Sequence, residues 1–467
     1  MLRIHNSLTG KIEELRPLEP GKIKLYVCGI TVYDYCHIGH MRMMVVFDLV
    51  RRYLRYKGLD VTYVRNITDI DDKIIARAAQ NNESIESLTT RFTEAMHEDA
   101  ARLGIEPPTH EPRATQYVPA MQKMIATLIA RGHAYVSDSG DVLYSVSSFP
   151  NYGALSGKRL EDLRAGARVE VEESKRDPAD FVLWKLAKPG EPSWDSPWGA
   201  GRPGWHIECS AMATALFGTR FDIHGGGMDL KFPHHENEIA QSCGASGDEF
   251  ARLWMHNGFV HVDNQKMSKS LGNFFTLREV LPKLRHPEVM RYFLLASQYR
   301  GPINYSLHHL EQADAALTRL YTALRGLPPA PGGARTSHSV RFEAALDDDF
   351  NSPEALAVLQ SMAREINSAR GAGRIEEAST LAAEFRQLAT LLGIVQVESE
   401  QWFRNAAQHA SSDGSLSDAQ IDQLIAARLA ARAARNFTES DRIRDELGKG
   451  GVLLDDQPDG RSIWRRR

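Results

Sequence analysis

The sequence predicts an α/β protein, in which a Rossmann-like domain with an insertion is followed by a helical bundle and a small C-terminal domain. An apolar run at Ile23–Val27 precedes a helical pattern from Met41 to about Lys57, and a second β-rich run follows at Asp60–Ile67. This alternation is typical of a parallel sheet. Two segments rich in small residues, at 326–339 and 406–417, indicate boundaries of the helical parts, and the first of them is also rich in proline.

Length and composition exclude several classes of protein. The 467 residues allow two to four domains, and 42% hydrophobic with 25% charged residues is ordinary globular composition. No apolar run of about 18 residues and no secretory h-region occur, so we expect a cytoplasmic chain without a membrane span. Four cysteines are too few for a disulfide scaffold and fit a reducing compartment. The net charge of −4 leaves nucleic-acid binding open, because a local basic face is sufficient.

Three domains are expected along the chain. The first spans 1–325; its rhythm breaks over an insertion at about 100–203, and a lysine-bearing segment lies at about 250–310. The second, a helical bundle at 340–400, includes a helix that begins at Ser352-Pro353-Glu354. The third spans 415–467, where two helices precede two short apolar runs around Pro458-Asp459-Gly460. That last pattern predicts a hairpin.

His37-Ile38-Gly39-His40 lies where the loop after the first strand enters a helix. Helix N-termini bind phosphate, and two imidazoles there can donate hydrogen bonds to charge on a reacting phosphate group. Gly39 would let the backbone approach a nucleotide closely. Taken alone, the four residues are equally compatible with two polar histidines at the end of a loop.

Lys266-Met267-Ser268-Lys269-Ser270 is a second candidate phosphate site. Two lysines in a loop flanked by Ser and Gly can neutralise a triphosphate, although such a loop alone is more typical of solvated surface. The two motifs together, in this order in an α/β chain, resemble the class I aminoacyl-tRNA synthetases. The resemblance implies a class I catalytic domain that uses ATP with Mg²⁺, forms an aminoacyl-adenylate and transfers it to tRNA. Its implied catalytic residues are His37, His40, Lys266 and Lys269.

A metal site is suggested by four further residues. Pro233 is typical of the first turn of a helix. In such a helix His234 and Glu238 are four residues apart and lie on one face. Cys28 ends the first strand, and Cys209 lies in Gly204–Ser210. Two thiolates, an imidazole and a carboxylate suit tetrahedral zinc. From spacing alone, structural roles remain favoured, because no C-x-x-C pair exists.

Longer stretches are more specific. Tyr26–Asp34, Gly204–Ser210, His224–Leu230 and Phe232–Glu238 resemble cysteinyl-tRNA synthetases of the bacterial type, and the similarity covers the whole chain. The resemblance implies one zinc ion on Cys28, Cys209, His234 and Glu238. His206 and His235 could contact these ligands, and polar surface positions are an equal alternative for both. It also implies an amino-acid pocket formed by Gly29, Thr68, Trp205 and Asp229. It implies that the nucleotide contacts Gly39, Gly225, Gly226, Gly227 and Lys269.

The implied substrates are ATP, L-cysteine and tRNA(Cys), and the expected state is a monomer. The chain ends in Trp464, Arg465, Arg466 and Arg467. A tryptophan among arginines suits base stacking with phosphate contact. A frayed basic tail is the alternative, and the family's use of this region to read the anticodon favours tRNA binding.

Two other functions compete with this one. A cysteine ligase of a mycothiol-type pathway would share the zinc site and both ATP motifs, but should lack a C-terminal region that reads tRNA. A non-catalytic RNA-binding paralogue would have no chemical need for intact histidines, lysines and metal ligands.

Overall fold

A four-stranded parallel sheet forms the centre of the catalytic region. The computed structural model describes residues 1–159, 175–267, 272–332, 335–405, 416–456 and 462–466. A short antiparallel pair, β1 and β2, precedes the sheet, whose strand order is β10-β9-β3-β4. The ranges are β1 Arg3–Asn6, β2 Lys11–Glu14, β3 Lys22–Thr31, β4 Asp60–Thr68, β9 Phe221–Gly227 and β10 Ala251–Asn257. The predicted α/β class is confirmed.

Helix α1 (Ile38–Tyr56) connects β3 to β4 and is buried over most of its surface. It begins three residues before the predicted Met41, because His37 caps it. Two further helices, α2 (Asp72–Asn81) and α3 (Ile85–Arg102), follow β4. Alternate residues of β3 face opposite sides of the sheet: Ile23, Leu25 and Val27 pack with α1, whereas Tyr26 and Cys28 pack on the other face.

The insertion covers that other face. It contains helix α4 and a four-stranded antiparallel sheet with strand order β5-β6-β7-β8. The ranges are α4 Val118–Ala130, β5 Ala134–Val136, β6 Val142–Tyr144, β7 Phe181–Leu186 and β8 Gly201–Pro203. Helix α5 (Trp205–Phe217) then leads back to β9, and α6 (Glu236–Ser246) links β9 to β10. Glu236 ties the insertion to α6, since its buried carboxylate accepts backbone hydrogen bonds from Gly153 (2.9 Å) and Ser156 (2.8 Å).

The lysine-bearing segment follows β10 as a small sheet with strand order β12-β11-β13. Its strands are β11 Val260–Val262, β12 Gln265–Lys266 and β13 Ile303–Tyr305. The lysine loop leaves β12 and is followed by α7 (Leu277–Val280) and α8 (Glu288–Leu295). Lys269 lies outside the described residues.

Five helices follow β13: α9 Leu307–Leu324, α10 Ser337–Asp347, α11 Ser352–Gly371, α12 Ile375–Leu392 and α13 Ser399–Arg404. They share one apolar core with α1. Helix α11 begins at the predicted Ser352, with Asn351 as its N-cap and proline in its first turn. Asp349, just before it, accepts hydrogen bonds from Tyr299 Oη and the backbone N–H of His5, both at 2.8 Å. The bundle is therefore fixed to the catalytic region by a buried carboxylate.

The C-terminal unit consists of α14 (Asp418–Ala433), α15 (Phe437–Lys449) and the antiparallel pair β14 (Val452–Asp456) and β15 (Ser462–Arg466). The predicted hairpin is present in these strands. Across the described residues, no helix combines the length and apolar character needed to cross a bilayer.

Candidate active site

A cleft of about 370 Å³ opens at the carboxyl end of β3. Its lining includes Gly39, His40 and Met43 at the start of α1, and a further wall formed by the segment Asn257–Val260. Ligands of open α/β sheets bind at this edge, outside the carboxyl ends of the strands. The sequence-predicted residues that line the cleft are Cys28, Gly29, His37, Gly39, His40, Trp205, Gly227 and Asp229.

His37 and His40 cap the N-terminus of α1 reciprocally. His37 Nδ1 accepts from the backbone N–H of His40 (3.2 Å), and His40 Nδ1 accepts from that of His37 (3.4 Å). Their rings stack with centroids 3.5 Å apart. Because Nδ1 accepts in each ring, a neutral ring carries its proton on Nε2. A β-carbon at Gly39 would lie 2.8 Å from the His37 ring, so this glycine also permits the stacked arrangement.

The four predicted metal ligands meet on the insertion side of the sheet. Cys28 lies at a register shift between β3 and β4, and Cys209 projects from α5. Glu238 lies in the first turn of α6, and His234 lies two residues before that helix begins. All four side chains are buried, and one ligand atom from each lies within 4.8 Å of the other three. His234 Nε2 is 3.1 Å and Cys28 Sγ 3.3 Å from Glu238 Oε1.

The local structure at His234 differs from the prediction. Pro233 was expected in the first turn of the helix that carries both His234 and Glu238. The α-helix begins only at Glu236, because Phe232 is extended and a single wide turn spans Lys231–His235. The last residues of that turn are helical, so His234 and Glu238 still converge.

The cluster is electrostatically polarised. Burial opposes ionisation of Cys209, but a hydrogen bond from Cys28 and the charge of His234 outweigh it and lower the pKa of Cys209 to about 6. Burial also opposes protonation of His234, yet Glu238 and Cys209 raise its pKa to about 10. The pKa of Glu238 lies well below its usual value despite burial, because His224 and His234 stabilise the carboxylate. The Cys209 thiolate and the Glu238 carboxylate are therefore charged although they are buried, and two buried negative charges favour binding of a metal cation.

Four more histidines surround the cluster. His206 Nδ1 lies 2.9 Å from His234 Nδ1, and His224 Nε2 lies 2.9 Å from Glu238 Oε2. His235 Nδ1 lies 2.8 Å from His256 Nε2. A second set of atoms, from Cys28, His224, His235 and Glu238, also lies within 4.8 Å. The donors thus allow two overlapping metal sets, one with two sulfurs and one with one.

The donor chemistry favours the set with two sulfurs. His234 directs Nε2 to the ligand atoms while His206 holds Nδ1, the arrangement typical of a metal-bound imidazole. His224 uses Nε2 on Glu238, so it orients the carboxylate instead. Two thiolates, one imidazole and one carboxylate fit a tetrahedral zinc site.

The residues expected to hold the amino acid are only partly together. Trp205, at the start of α5, stacks on the His234 ring with centroids 4.3 Å apart and is 38% exposed at the cleft. Asp229 follows β9 and lines the same cleft. Thr68 is buried and does not line it; its hydroxyl donates to Glu208 Oε2 at 3.0 Å. Burial raises the pKa of Glu208 well above its usual value.

Two of the three glycines expected at adenosine have packing roles. A β-carbon at Gly225 would lie 2.3 Å from the Phe47 ring, and one at Gly226 would lie 2.8 Å from the His235 ring. Both glycines are buried in β9, and only Gly227 lines the cleft. Gly225 and Gly226 allow α1 and the histidine cluster to approach the sheet, and a contact between them and a nucleotide stays a prediction.

Three family models match the chain. They describe a class I (C) tRNA synthetase catalytic domain at residues 14–315, a DALR domain at 341–396 and a cysteinyl-tRNA ligase anticodon binding domain at 416–465. A cysteine–tRNA ligase of Methylococcus capsulatus is 60% identical, and one of Halorhodospira halophila is 59% identical; each alignment covers 100% of both chains. The chain belongs to the cysteinyl-tRNA synthetases.

The fold agrees with that family. A methionyl-tRNA synthetase from Mycobacterium tuberculosis, solved with methionyl-adenylate, matches with a TM-score of 0.57 at 16% identity over 79% of this chain and 90% of that chain. At this identity the match concerns the fold alone. The class I architecture predicted for the synthetase is confirmed.

The C-terminal residues of the synthetase have different roles from one another. The Trp464 indole is 6% exposed, packs in the core of the C-terminal unit and donates to Asp422 Oδ1 at 2.8 Å. Arg466 contacts Asp418, and Arg465 is exposed. Base stacking by Trp464 stays a prediction; in this structure the indole packs in the core of the C-terminal unit. Arg467 and the side chain of Lys266 lie outside the described residues.

Sequence analysis of the synthetase missed His224 and His256. His224 pairs in register with Tyr26 and Trp254 of the neighbouring strands, and His256 lies two residues beyond Trp254 on the same face. Tyr26 is likewise two residues from Cys28. The strand order β10-β9-β3, once known, would have identified both histidines as neighbours of the metal ligands.

Proposed function

We propose that this synthetase activates L-cysteine with ATP and transfers the cysteinyl group to tRNA(Cys). One observation carries the proposal: the buried set Cys28, Cys209, His234 and Glu238 adjoins a cleft whose other end is the histidine-capped N-terminus of α1. A metal ion held by thiolate ligands prefers a thiol as its further ligand, and a helix N-terminus binds phosphate. Few other substrate pairs would use both in one cleft.

We propose that one Zn²⁺ is held by those four residues. Bound there, zinc would supply a soft Lewis acid that accepts the thiolate of cysteine far better than the hydroxyl of serine. His206 would hold the His234 ring, and His224 would hold the Glu238 carboxylate. Asp229 is the carboxylate we assign to the substrate ammonium group, and Trp205 would close the small side-chain pocket. Gly29 would shape its floor, and Thr68, which does not line the cleft, would act indirectly through its hydrogen bond to Glu208.

For ATP, we assign His37 and His40 to the phosphates. Their Nε2–H groups can donate to charge that develops on the α-phosphate when the cysteine carboxylate attacks. Gly39 and Gly227 leave room for the nucleotide, and Mg²⁺ would bind its phosphates. Lys266 and Lys269 would neutralise the departing pyrophosphate. Catalysis is then positioning and charge stabilisation, without a protein nucleophile.

We further propose a division of labour between domains 1–325, 340–400 and 415–467. The first would carry the chemistry, with its insertion at about 100–203, and the third would read the anticodon. Arg465 is exposed, and we assign it, with Arg466 and Arg467, to contact with tRNA phosphate. We expect a monomer acting in the cytoplasm, where its three substrates occur together.

The test is amino-acid-dependent ATP–pyrophosphate exchange with all twenty amino acids, followed by charging of total tRNA. We expect exchange with cysteine, little with serine, and charging of tRNA(Cys) alone. A mycothiol-type cysteine ligase would give cysteine-dependent exchange without charging, and a non-catalytic paralogue would give neither. The match of residues 416–465 to an anticodon-binding domain disfavours the ligase.

A further inference from the structure

Arg42 is a buried cation in the second turn of α1. The residue is 0% exposed. Its Nη1 donates to the backbone carbonyl of Phe259 at 2.8 Å, and its Nη2 donates to those of Gly301 (2.6 Å) and Tyr299 (3.2 Å). In the described part of the chain, its hydrogen bonds all go to backbone carbonyls. Burial lowers the pKa of Arg42 to about 10, so the guanidinium remains charged at neutral pH.

The two segments that Arg42 joins support one wall of the cleft. The backbone N–H of Gly258 donates to the Tyr299 carbonyl at 2.8 Å, and that of Ile303 donates to the Phe259 carbonyl at 3.0 Å. A β-carbon at Gly258 would lie 2.2 Å from the Gly301 carbonyl oxygen. The wall therefore rests on the segment 299–303 by direct backbone contact, and the guanidinium fixes both layers to α1.

The strands that lead into the lysine loop begin at that wall. Strand β11 begins at Val260, pairs with β12 and leads into the loop. At the far end of the loop, the backbone of Ile38 donates to the Phe275 carbonyl (3.2 Å) and that of Leu277 donates to the Cys36 carbonyl (3.0 Å). Both ends of the lysine loop are thus tied to the residues around the histidine motif, the far end by backbone and the near end through Arg42.

We propose that Arg42 is a positioning residue that fixes the separation between the histidine motif and the cleft wall Asn257–Val260, and hence the geometry in which ATP is bound. This rests on the proposed function of the cleft. Burying a guanidinium has a large desolvation cost, and an apolar side chain of similar volume would hold the layers together without it. Unlike an apolar side chain, the planar guanidinium makes directional hydrogen bonds, and these orient carbonyl groups of two segments at once.

Arg291 provides a matched control. It is also 0% exposed and donates to the carbonyls of Leu392 (2.7 Å) and Leu103 (3.0 Å), besides its ion pair with Asp48 of α1. It ties α1 to the helical bundle rather than to the cleft wall. Arg42 lies on α1 and Arg291 on α8, and each holds α1 in place through a buried guanidinium. Only Arg42 supports the ATP-binding wall.

The experiment compares Arg42→Met, Arg42→Lys and Arg291→Met in cysteine-dependent pyrophosphate exchange, with rates divided by the number of active sites titrated by adenylate formation. Wild-type exchange tests the proposed function separately. For Arg42→Met we expect the KM for ATP to rise at least tenfold and kcat to fall, while the KM for cysteine changes less than twofold. Arg42→Lys keeps the positive charge without the planar guanidinium. Its KM for ATP and its kcat should therefore lie between those of the wild type and those of Arg42→Met. Arg291→Met should lower Tm without changing the KM for ATP.

An unchanged KM for ATP and unchanged kcat per active site in Arg42→Met would overturn the proposal, as would an equal change in Arg291→Met. If Arg42→Met does not fold, Arg42→Lys decides. A KM for ATP raised threefold or more at native circular dichroism supports the proposal, and a smaller change overturns it.

Discussion

A β-carbon added to Gly29 would lie 1.7 Å from the backbone carbonyl oxygen of Asn66. The Gly29 N–H also donates to the Asn66 side-chain oxygen at 2.8 Å. This contact lies beside Cys28, where the pairing of β3 with β4 changes register. The close approach of these two strands therefore sets where the Cys28 thiol points.

Gly29→Ala should consequently impair cysteine activation. The strands must separate, which we expect to lower the free energy of unfolding by about 1–3 kcal/mol and to displace Cys28. Pyrophosphate exchange and metal content measure the effect. Gly371→Ala is the control, because a β-carbon there meets no atom within 4 Å, and it should leave both unchanged. Full metal content and normal exchange in Gly29→Ala would contradict this account.

Lys269→Ala should affect chemistry rather than folding. Losing one preorganised donor at the pyrophosphate typically removes roughly 2–4 kcal/mol of transition-state stabilisation. We therefore expect a large loss of exchange with little change in Tm. Near-normal exchange would remove Lys269 from the mechanism.

Cys209→Ser should lose metal and cysteine activation together, because serine replaces a soft thiolate whose charge the site favours. Cys243→Ser is the matched control, since Cys243 lies outside both candidate metal sets. Metal analysis of the purified proteins should give one zinc per chain for the wild type and the control. Equal zinc content in Cys209→Ser would show that the metal does not use this thiolate.

X-ray absorption at the zinc edge distinguishes the two overlapping donor sets. The assigned set predicts two sulfur neighbours at about 2.3 Å, whereas the set with His224 and His235 predicts one. Added cysteine should raise the sulfur count to three, and added serine should leave it at two. A single sulfur in the resting enzyme would instead support the second set. If metal-free, folded enzyme rejects serine as well as the zinc-bound enzyme does, zinc does not select the substrate.

Truncation after Asn405 should separate the two reactions. We expect cysteine-dependent exchange within about twofold of the full chain, and charging of tRNA(Cys) lower by about a hundredfold or more, since anticodon contacts supply much of the tRNA affinity. Within the full chain, Arg465→Ala should weaken tRNA binding and reduce its salt slope by about one. Trp464→Ala should instead unfold the C-terminal unit. Full-rate charging by the truncated protein would show that the anticodon assignment is wrong.

Much of this fold could be predicted from the sequence, because the spacing of apolar residues and the local composition determine helices, strands and turns. The β3-α1-β4 unit, the helix that begins at Ser352 and the terminal hairpin follow from apolar patterns and capping residues. The donor set was implied by family resemblance, since residues 28, 209 and 234 lie far apart in the chain. The contacts of Gly225 with Phe47 and of Gly226 with His235 could not be predicted, because a missing side chain looks the same in a sequence whether a base or a protein ring fills the space. The burial of Trp464 could not be predicted, because it depends on Asp422 and the apolar side chains of α14, which no local pattern reports.

Glu236 makes the insertion dependent on the metal-binding helix. The carboxylate is 0% exposed, and backbone N–H groups of residues 153–156 satisfy it. Two residues on either side of it, His234 and Glu238 are assigned to zinc. The insertion is therefore not an interchangeable module. A chimera that borrows residues 114–203 from a distant relative must reproduce that turn, or it will strand a buried negative charge next to the metal and lose zinc occupancy.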